Sequence, residues 1–342
     1  MALPRQINNE KYYRDHFLSA AQGEVEIYDR IFNGISSYKS SILLPRIPEE
    51  SRLKFIYQAV GYDNPQFFDY SFCSPYRLVN NSLQLMGYLA KVDSTSIEEI
   101  ATSLLKEAVG LPPYARAVLI SDYLELHATY DDDTAEIPSS DFDALKDHDH
   151  SFTSYGPLVD HLGVCLGLST AFSYLCFVLD VPCIIIGAQG QIDHSFNAIQ
   201  INGEWTNVDM TLTVRRSECL YHDRGRTIRP CLRLGFGLPD SEFALYGLSS
   251  NEFCGVPDDH LNFWVRASAK FTTIPQLRTY ILNLSACHHC LVLPYQGNKP
   301  INEAFQATYD LISRHGISVE QAFFCNYRYL CFLGGDLYEP QN

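Results

Sequence analysis

The sequence is short of positive charge: its 342 residues carry 25 Lys and Arg against 40 Asp and Glu, a formal net charge of −15. A binder of phosphate backbones or anionic headgroups needs a basic patch to displace counterions, so neither nucleic acid nor a membrane is an expected partner. Long apolar runs are missing too. No stretch of about 18 uninterrupted apolar residues exists, and the first twenty residues, MALPRQINNEKYYRDHFLSA, hold no apolar core long enough for a signal peptide. The expectation is a soluble, cytoplasmic chain. There is no glycine-rich phosphate loop, no nucleophile elbow around Ser169, Ser173 or Ser195, no calcium loop in the acidic region and no internal repeat.

Hydrophobic residues make up 46% and charged residues 19%, which suits a packed globular protein, and the length suits two or three domains. The eleven cysteines are odd in number and spread along the chain, several inside apolar runs. That pattern favours free, buried thiols in a reducing compartment over a disulfide framework.

Helical periodicity over 9–36, a break at Pro45 and Pro48, a short helix over 51–60 and strand-like alternation around Phe68, Tyr70, Phe72, Leu83 and Leu85 predict an N-terminal accessory domain over 1–93. Ser96-x-x-Glu99 reads as a capping box opening the next helix, and a second helix spans 114–127. Eight acids and one lysine then fill 131–149, read as a solvated, irregular loop. Leu168, Phe172, Leu175 and Leu179 describe one stripe of a buried helix over 165–179, ended by Pro182. Cys183 to Ile186 reads as a buried strand. A second strand begins near His194, turns at Asn202-Gly203 and returns to Thr213; Asn-Gly between alternating residues is a strong hairpin signal. A core over 94–229 is therefore expected, followed over 230–342 by a connecting segment and a C-terminal α+β domain with strands over 290–294, 321–326 and 327–333 and helices over 276–287 and 301–315. The fold class is α+β.

Cys165 stands at the first turn of its helix, where partial positive charge and free backbone N–H groups favour a thiolate and could receive an oxyanion. Such a nucleophile needs a base and an orienting acceptor. With a two-residue turn at Asn202-Gly203, cross-strand partners put Phe196 opposite Asp209 and His194 opposite Thr211, so His194 and Asp209 share a face as diagonal neighbours, with Cα atoms about 7 to 8 Å apart. Taken singly, a cysteine at a helix start is most often a small buried residue and a strand His or Asp a surface one; together they are harder to dismiss.

Tyr155-Gly156-Pro157-Leu158-Val159, Gly163-Val164-Cys165-Leu166-Gly167-Leu168-Ser169, Val181-Pro182-Cys183, His194-Ser195-Phe196-Asn197, Asn202-Gly203-Glu204-Trp205 and Val208-Asp209-Met210-Thr211 resemble a bacterial transglutaminase-like domain of the papain-type superfamily. The resemblance implies a helix packed on an antiparallel sheet, with Cys165 as nucleophile, His194 as base and Asp209 as its orienter. Phe196 stands where the family usually has tryptophan, and no glutamine shortly precedes Cys165; Tyr155 is then the candidate oxyanion residue and Phe196 a candidate substrate contact. The function implied is a cysteine hydrolase or acyltransferase acting through a thioester on a peptide or protein substrate, with water or an amine as acceptor. No cofactor or metal is expected. The alternative is a catalytically silent fold that binds protein. A zinc hydrolase would need Cys287-His288-His289-Cys290 to meet Cys325 and Cys331, and His148-Asp149-His150 alone is weak.

Overall fold

The computed structural model describes residues 11–89, 92–138, 141–190, 193–216, 221–223, 226–228, 231–245, 247–250, 253–262, 290–294, 301–314, 321–325 and 329–333. The expected helix over 276–287 and the Cys287-His288-His289 half-site lie outside these residues.

Helices α1 (Tyr12–Phe17) and α2 (Glu24–Ser36) replace the single helix expected over 9–36. Gly23 lies at φ +67° between them, and the Glu24 carboxylate accepts the Ser19 N–H (2.8 Å) and pairs with Arg52 (2.6 Å), which fixes the break. After β1 (Ser41–Leu43), α3 (Glu50–Tyr62) turns Leu53, Ile56, Tyr57 and Val60 against Ile27, Tyr28, Ile31 and Ile35 of α2. Strands are shorter than the alternation predicts: β2 (Arg77–Val79) and β3 (Ser82–Gln84) complete an antiparallel sheet in the order β1-β3-β2. Phe68, Tyr70 and Phe72 serve as ring contacts instead, Tyr70 on Phe72 at 4.9 Å and Phe68 on Tyr174 at 6.1 Å.

The second buried cluster begins with α4 (Ser94–Glu107) and α5 (Pro113–His127). Asp93, not Ser96, caps α4: its carboxylate accepts the Thr95 N–H and the Ser96 hydroxyl, both at 3.0 Å. The acidic region is not an open loop. It folds as β4 (Thr129–Tyr130), α6 (Asp132–Glu136), α7 (Phe142–Leu145) and a 3-10 turn (Lys146–Phe152), followed by a π-helical turn (Gly156–Asp160) and β5 (Leu162–Gly163), which pairs in parallel with β4.

Helix α8 (Cys165–Val178) is apolar nearly all round and accordingly buried, between α5 on one side and the sheet strands β6 (Cys183–Ala188) and β7 (His194–Ile201) on the other. Strand β8 (Glu204–Val208) pairs with β7 through a two-residue turn in which Asn202 (φ +54°) and Gly203 (φ +87°) both take the left-handed region. The observed partners, Ala198 with Asn207 and Asn197 with Val208, are those the turn predicts. The return strand stops early, because α9 (Met210–Arg216) starts where strand was expected to run to Thr213. Strands β9 (Tyr221–Asp223) and β10 (Arg226–Ile228) form a separate pair; β11 (Phe236–Leu238) completes the main antiparallel sheet in the order β11-β8-β7-β6, and α10 (Asp240–Leu245) follows. Phe236 and Leu261 join the cluster around α8, while Ile184, Ile186, Phe196, Ala198, Leu238 and Phe243 form another. The Tyr13 hydroxyl of α1 donates to the Ile185 carbonyl of β6.

Further on, β12 (Cys290–Pro294), α11 (Ile301–Arg314), β13 (Gln321–Cys325) and β14 (Tyr329–Leu333) include an antiparallel sheet in the order β12-β14-β13. The architecture is α+β, with helices packed on antiparallel strands. Among the described residues no helix is long and apolar enough to cross a membrane.

Candidate active site

Cys165 is the first residue of α8, and the preceding Val164 offers no side-chain cap. The amides of the opening turn therefore have no side-chain acceptor, and the helix directs its positive end toward the sulfur. Two backbone bonds place this turn. Val164 N–H donates to the Ser151 carbonyl (3.0 Å), and Asp131 N–H donates to the Gly163 carbonyl (3.1 Å). Gly167 is required here, since a Cβ would come within 2.1 Å of the Ser151 carbonyl oxygen.

Asp131, read from sequence as one of a solvated run, is buried. It accepts the Thr134 N–H (3.0 Å), the Thr134 hydroxyl (2.6 Å) and the Ser151 hydroxyl, while Thr134 Oγ1 meets His148 Nδ1 at 2.7 Å. Burial works against its ionisation, but the hydrogen bonds from Ser151 and Thr134 prevail and hold the carboxyl below its usual value.

His194 opens β7, and its Nε2 lies 2.9 Å from Asp209 Oδ2. Both side chains are largely covered, with 17% and 10% exposure. Asp209 sits just past the end of β8 and starts α9: its Oδ1 accepts the Leu212 N–H (3.2 Å), its carbonyl accepts the Thr213 N–H (3.2 Å), and its own N–H donates to the Gly235 carbonyl (2.8 Å). A Cβ on Gly235 would lie 1.9 Å from the Asp209 carbonyl oxygen, so only glycine permits this approach. One carboxylate oxygen is thus spent on a helix start and the other on the imidazole.

Burial alone would lower the imidazole's pKa; the charge and hydrogen bond of Asp209, and then those of Cys165, outweigh it and raise the value to about 10. With Nε2 on the carboxylate, Nδ1 is the nitrogen left for the sulfur. Asn197, on the neighbouring face of β7, donates to the Ser169 carbonyl (3.0 Å) and ties the strand to α8. An imidazole held on a carboxylate is oriented to carry a proton through its second ring nitrogen.

Tyr155 and Phe196 are each engaged by neighbouring side chains or backbone. The Tyr155 hydroxyl accepts the Asp93 N–H (3.3 Å), and its ring lies 4.6 Å from that of His150. Phe196 is fully buried and stacked on Phe243 at 3.9 Å, near-parallel to His194 at 6.2 Å, so its ring backs the imidazole and offers no surface to a ligand. Two neighbours of Cys165 went unnoticed in the sequence. Tyr130 and Cys73 both feel its charge: burial first and then Cys165 raise each to about 12. Cys73 as a residue is exposed, so it is the sulfur that is desolvated. Its neighbour Ser74 donates to Asp149 (3.3 Å), bringing the N-terminal chain to this end of α8.

The described residues contain one group spaced to hold a metal, Asp122, Glu125 and Cys231. Arg233 donates to both Asp122 oxygens, and Glu125 accepts the N–H groups of Leu232 (2.6 Å) and Arg233 (3.1 Å). The guanidinium holds the place of a cation, and burial raises Glu125 to about 8 against its two backbone hydrogen bonds. His148, Asp149 and His150 do not converge: His148 bonds Thr134 and His150 bonds Asp160 (2.7 Å).

Two solved structures match parts of the chain. A protein of Cytophaga hutchinsonii, described as a proposed cysteine protease, aligns with 35% of this chain and 43% of its own length, at 17% identity and a TM-score of 0.24. A protein described as a TGase aligns over 50% of each chain, at 13% identity and a TM-score of 0.29. The chain spans half or less of the length of these structures, and a likeness this weak fixes neither fold family nor activity. No family model matches the sequence, and no curated protein does.

Proposed function

We propose that the protein is a cysteine-dependent acyl-transfer enzyme built on a transglutaminase-like core, acting on amide bonds of peptide or protein substrates. The observation that supports this reading is the His194 imidazole held on the Asp209 carboxylate, with Cys165 among the groups that raise the pKa of the same ring. Residues 94–229 are the core, 1–93 an accessory domain, and 230–342 a connecting segment with a C-terminal α+β domain.

In this reading the Cys165 thiolate attacks the amide carbonyl carbon, and a tetrahedral intermediate carries the charge on oxygen. When the C–N bond breaks, the nitrogen takes the imidazolium proton of His194 and leaves as an amine, while the acyl group stays on sulfur as a thioester. Water or a second amine then attacks; its proton returns to His194 and the sulfur departs as thiolate. Asp209 keeps Nε2 occupied, so that Nδ1 remains the proton carrier. Water as acceptor gives a peptidase or deamidase, and an amine gives a transferase.

The test is incubation of the full chain with a peptide library, with and without a primary amine, read by mass spectrometry. Amine attachment, deamidation or cleavage is expected from the wild type and none from Cys165→Ala. Modification that persists in Cys165→Ala overturns the reading, and Cys165 alkylation by iodoacetamide no faster than that of free cysteine leaves a silent protein-binding module.

A further inference from the structure

Among the side chains around Cys165, one hydroxyl is placed for chemistry that the reading above leaves unassigned. Tyr130 ends β4, directly paired with Gly163, two residues before Cys165. The next residue, Asp131, binds the Gly163 carbonyl and anchors the buried hydrogen-bond cluster with Thr134 and Ser151, so the backbone on which Tyr130 rides is held on both sides. Its ring is clamped as well. The Arg215 guanidinium lies 4.4 Å from the ring centroid and pairs with Asp132; Arg215 belongs to α9, the helix that Asp209 starts. Tyr130 therefore spans the strand that feeds the sulfur and the helix that follows the carboxylate.

The β4–β5 pairing and the Arg215 contact put this ring beside the strand leading to Cys165 and the helix after Asp209; burial first, and then the charge of Cys165, disfavour ionisation of its hydroxyl. With its value pushed up to about 12, the phenol stays protonated over the working pH range and is a donor. Among the described residues it makes no hydrogen bond, in contrast to Tyr155, whose hydroxyl is engaged at Asp93.

We infer that the Tyr130 hydroxyl, together with the opening amides of α8, donates a hydrogen bond to the oxygen that becomes negative when an acyl group is attacked by Cys165. The inference rests on the acyl-transfer reading. The carbonyl oxygen of the attacked acyl group gains a full charge in the tetrahedral intermediate, and donors fixed in place before the reaction stabilise that charge without reorganisation. In this assignment the helix start supplies one from the backbone, and Tyr130 supplies the other from its side chain.

The experiment compares the full-length wild type, Tyr130→Phe and Cys165→Ala in two reactions. p-Nitrophenyl acetate acylates a thiolate through a tetrahedral oxyanion but expels nitrophenolate, which needs no proton. Iodoacetamide alkylates the same sulfur by direct displacement, with no oxyanion. Tyr130→Phe is expected to slow acylation by about 10²-fold to 10³-fold, the scale for loss of one oxyanion donor, and to leave the alkylation rate and its pH profile unchanged. The unchanged alkylation also certifies that the variant is folded. Unchanged acylation in Tyr130→Phe overturns the assignment of Tyr130 while sparing Cys165. Equal slowing of both reactions overturns it too, because Tyr130 would then act on the thiolate. Acylation of Cys165→Ala at the wild-type rate removes the acyl-transfer reading itself.

Discussion

The hairpin carrying His194 and the stretch from Thr129 to Val164 that delivers Cys165 position one side chain each, by opposite means. In the hairpin everything is local: Asn202 and Gly203 set the turn, the turn sets the register, and the register decides which side chains share a face. In the other stretch almost nothing is local. Two-residue strands and short helical turns have little cohesion of their own, and their course is fixed by a buried carboxylate, by the Ser151 carbonyl and by glycines that let backbones meet. Local rules place a residue cheaply and legibly; a buried polar network places it only once the whole fold exists.

Substitutions in the two regions should therefore fail differently. The largest effect is expected from His194→Ala, which removes the imidazolium but not the determinants of register. Alkylation of Cys165 should fall on the order of 10²-fold, with cooperative unfolding retained. A variant that instead loses cooperative unfolding would show that the hairpin depends on its catalytic side chain.

Asp131→Ala comes next. It strands the Ser151 and Thr134 donors inside the fold, and the denaturation midpoint should drop by the equivalent of about 1 to 3 kcal/mol, together with slower alkylation of Cys165. Unchanged stability would mean that the Thr129–Val164 stretch is held by packing rather than by its polar cluster.

The smallest effect is in pH. His194 is raised from its ordinary 6.5 to about 10, so the protonated form is favoured by folding. Its contribution is complete below about pH 6.5 and lost as pH rises toward 10. The stability difference between wild type and His194→Gln should be widest at low pH and narrow across that window. A difference that stays constant would show that the imidazole is not charged in the folded protein.

The same contrast explains what could be read from the sequence. Helix α8 and the β7–β8 hairpin follow from the Leu168, Phe172, Leu175 stripe and from Asn202-Gly203; His194 and Asp209 do meet, but the paired register ends at Val208 and Asp209 is placed by the Gly235 carbonyl and the start of α9. The strand expected to reach Thr213 failed because Thr, Leu and Val look like strand residues, whereas Asp209 caps a helix there; an acceptor just before an apolar run was the overlooked signal. Tyr130, Asp131 and Gly235 carry no local mark. Tyr130 looks like an aromatic just past a helix, Asp131 like one acid of eight, and Gly235 like any loop glycine until the Asp209 carbonyl is seen against it.

Among the described residues strand β6 has a partner on only one side of the main sheet, and a border of this kind offers its amide and carbonyl groups to any extended chain that drifts alongside. The hydroxyl of Tyr13 takes one of those carbonyls, and its ring, packed on Tyr62 at 5.3 Å, shields the border from neighbours. The first helix thus covers part of this border, and its removal is expected to raise self-association, read as concentration-dependent light scattering.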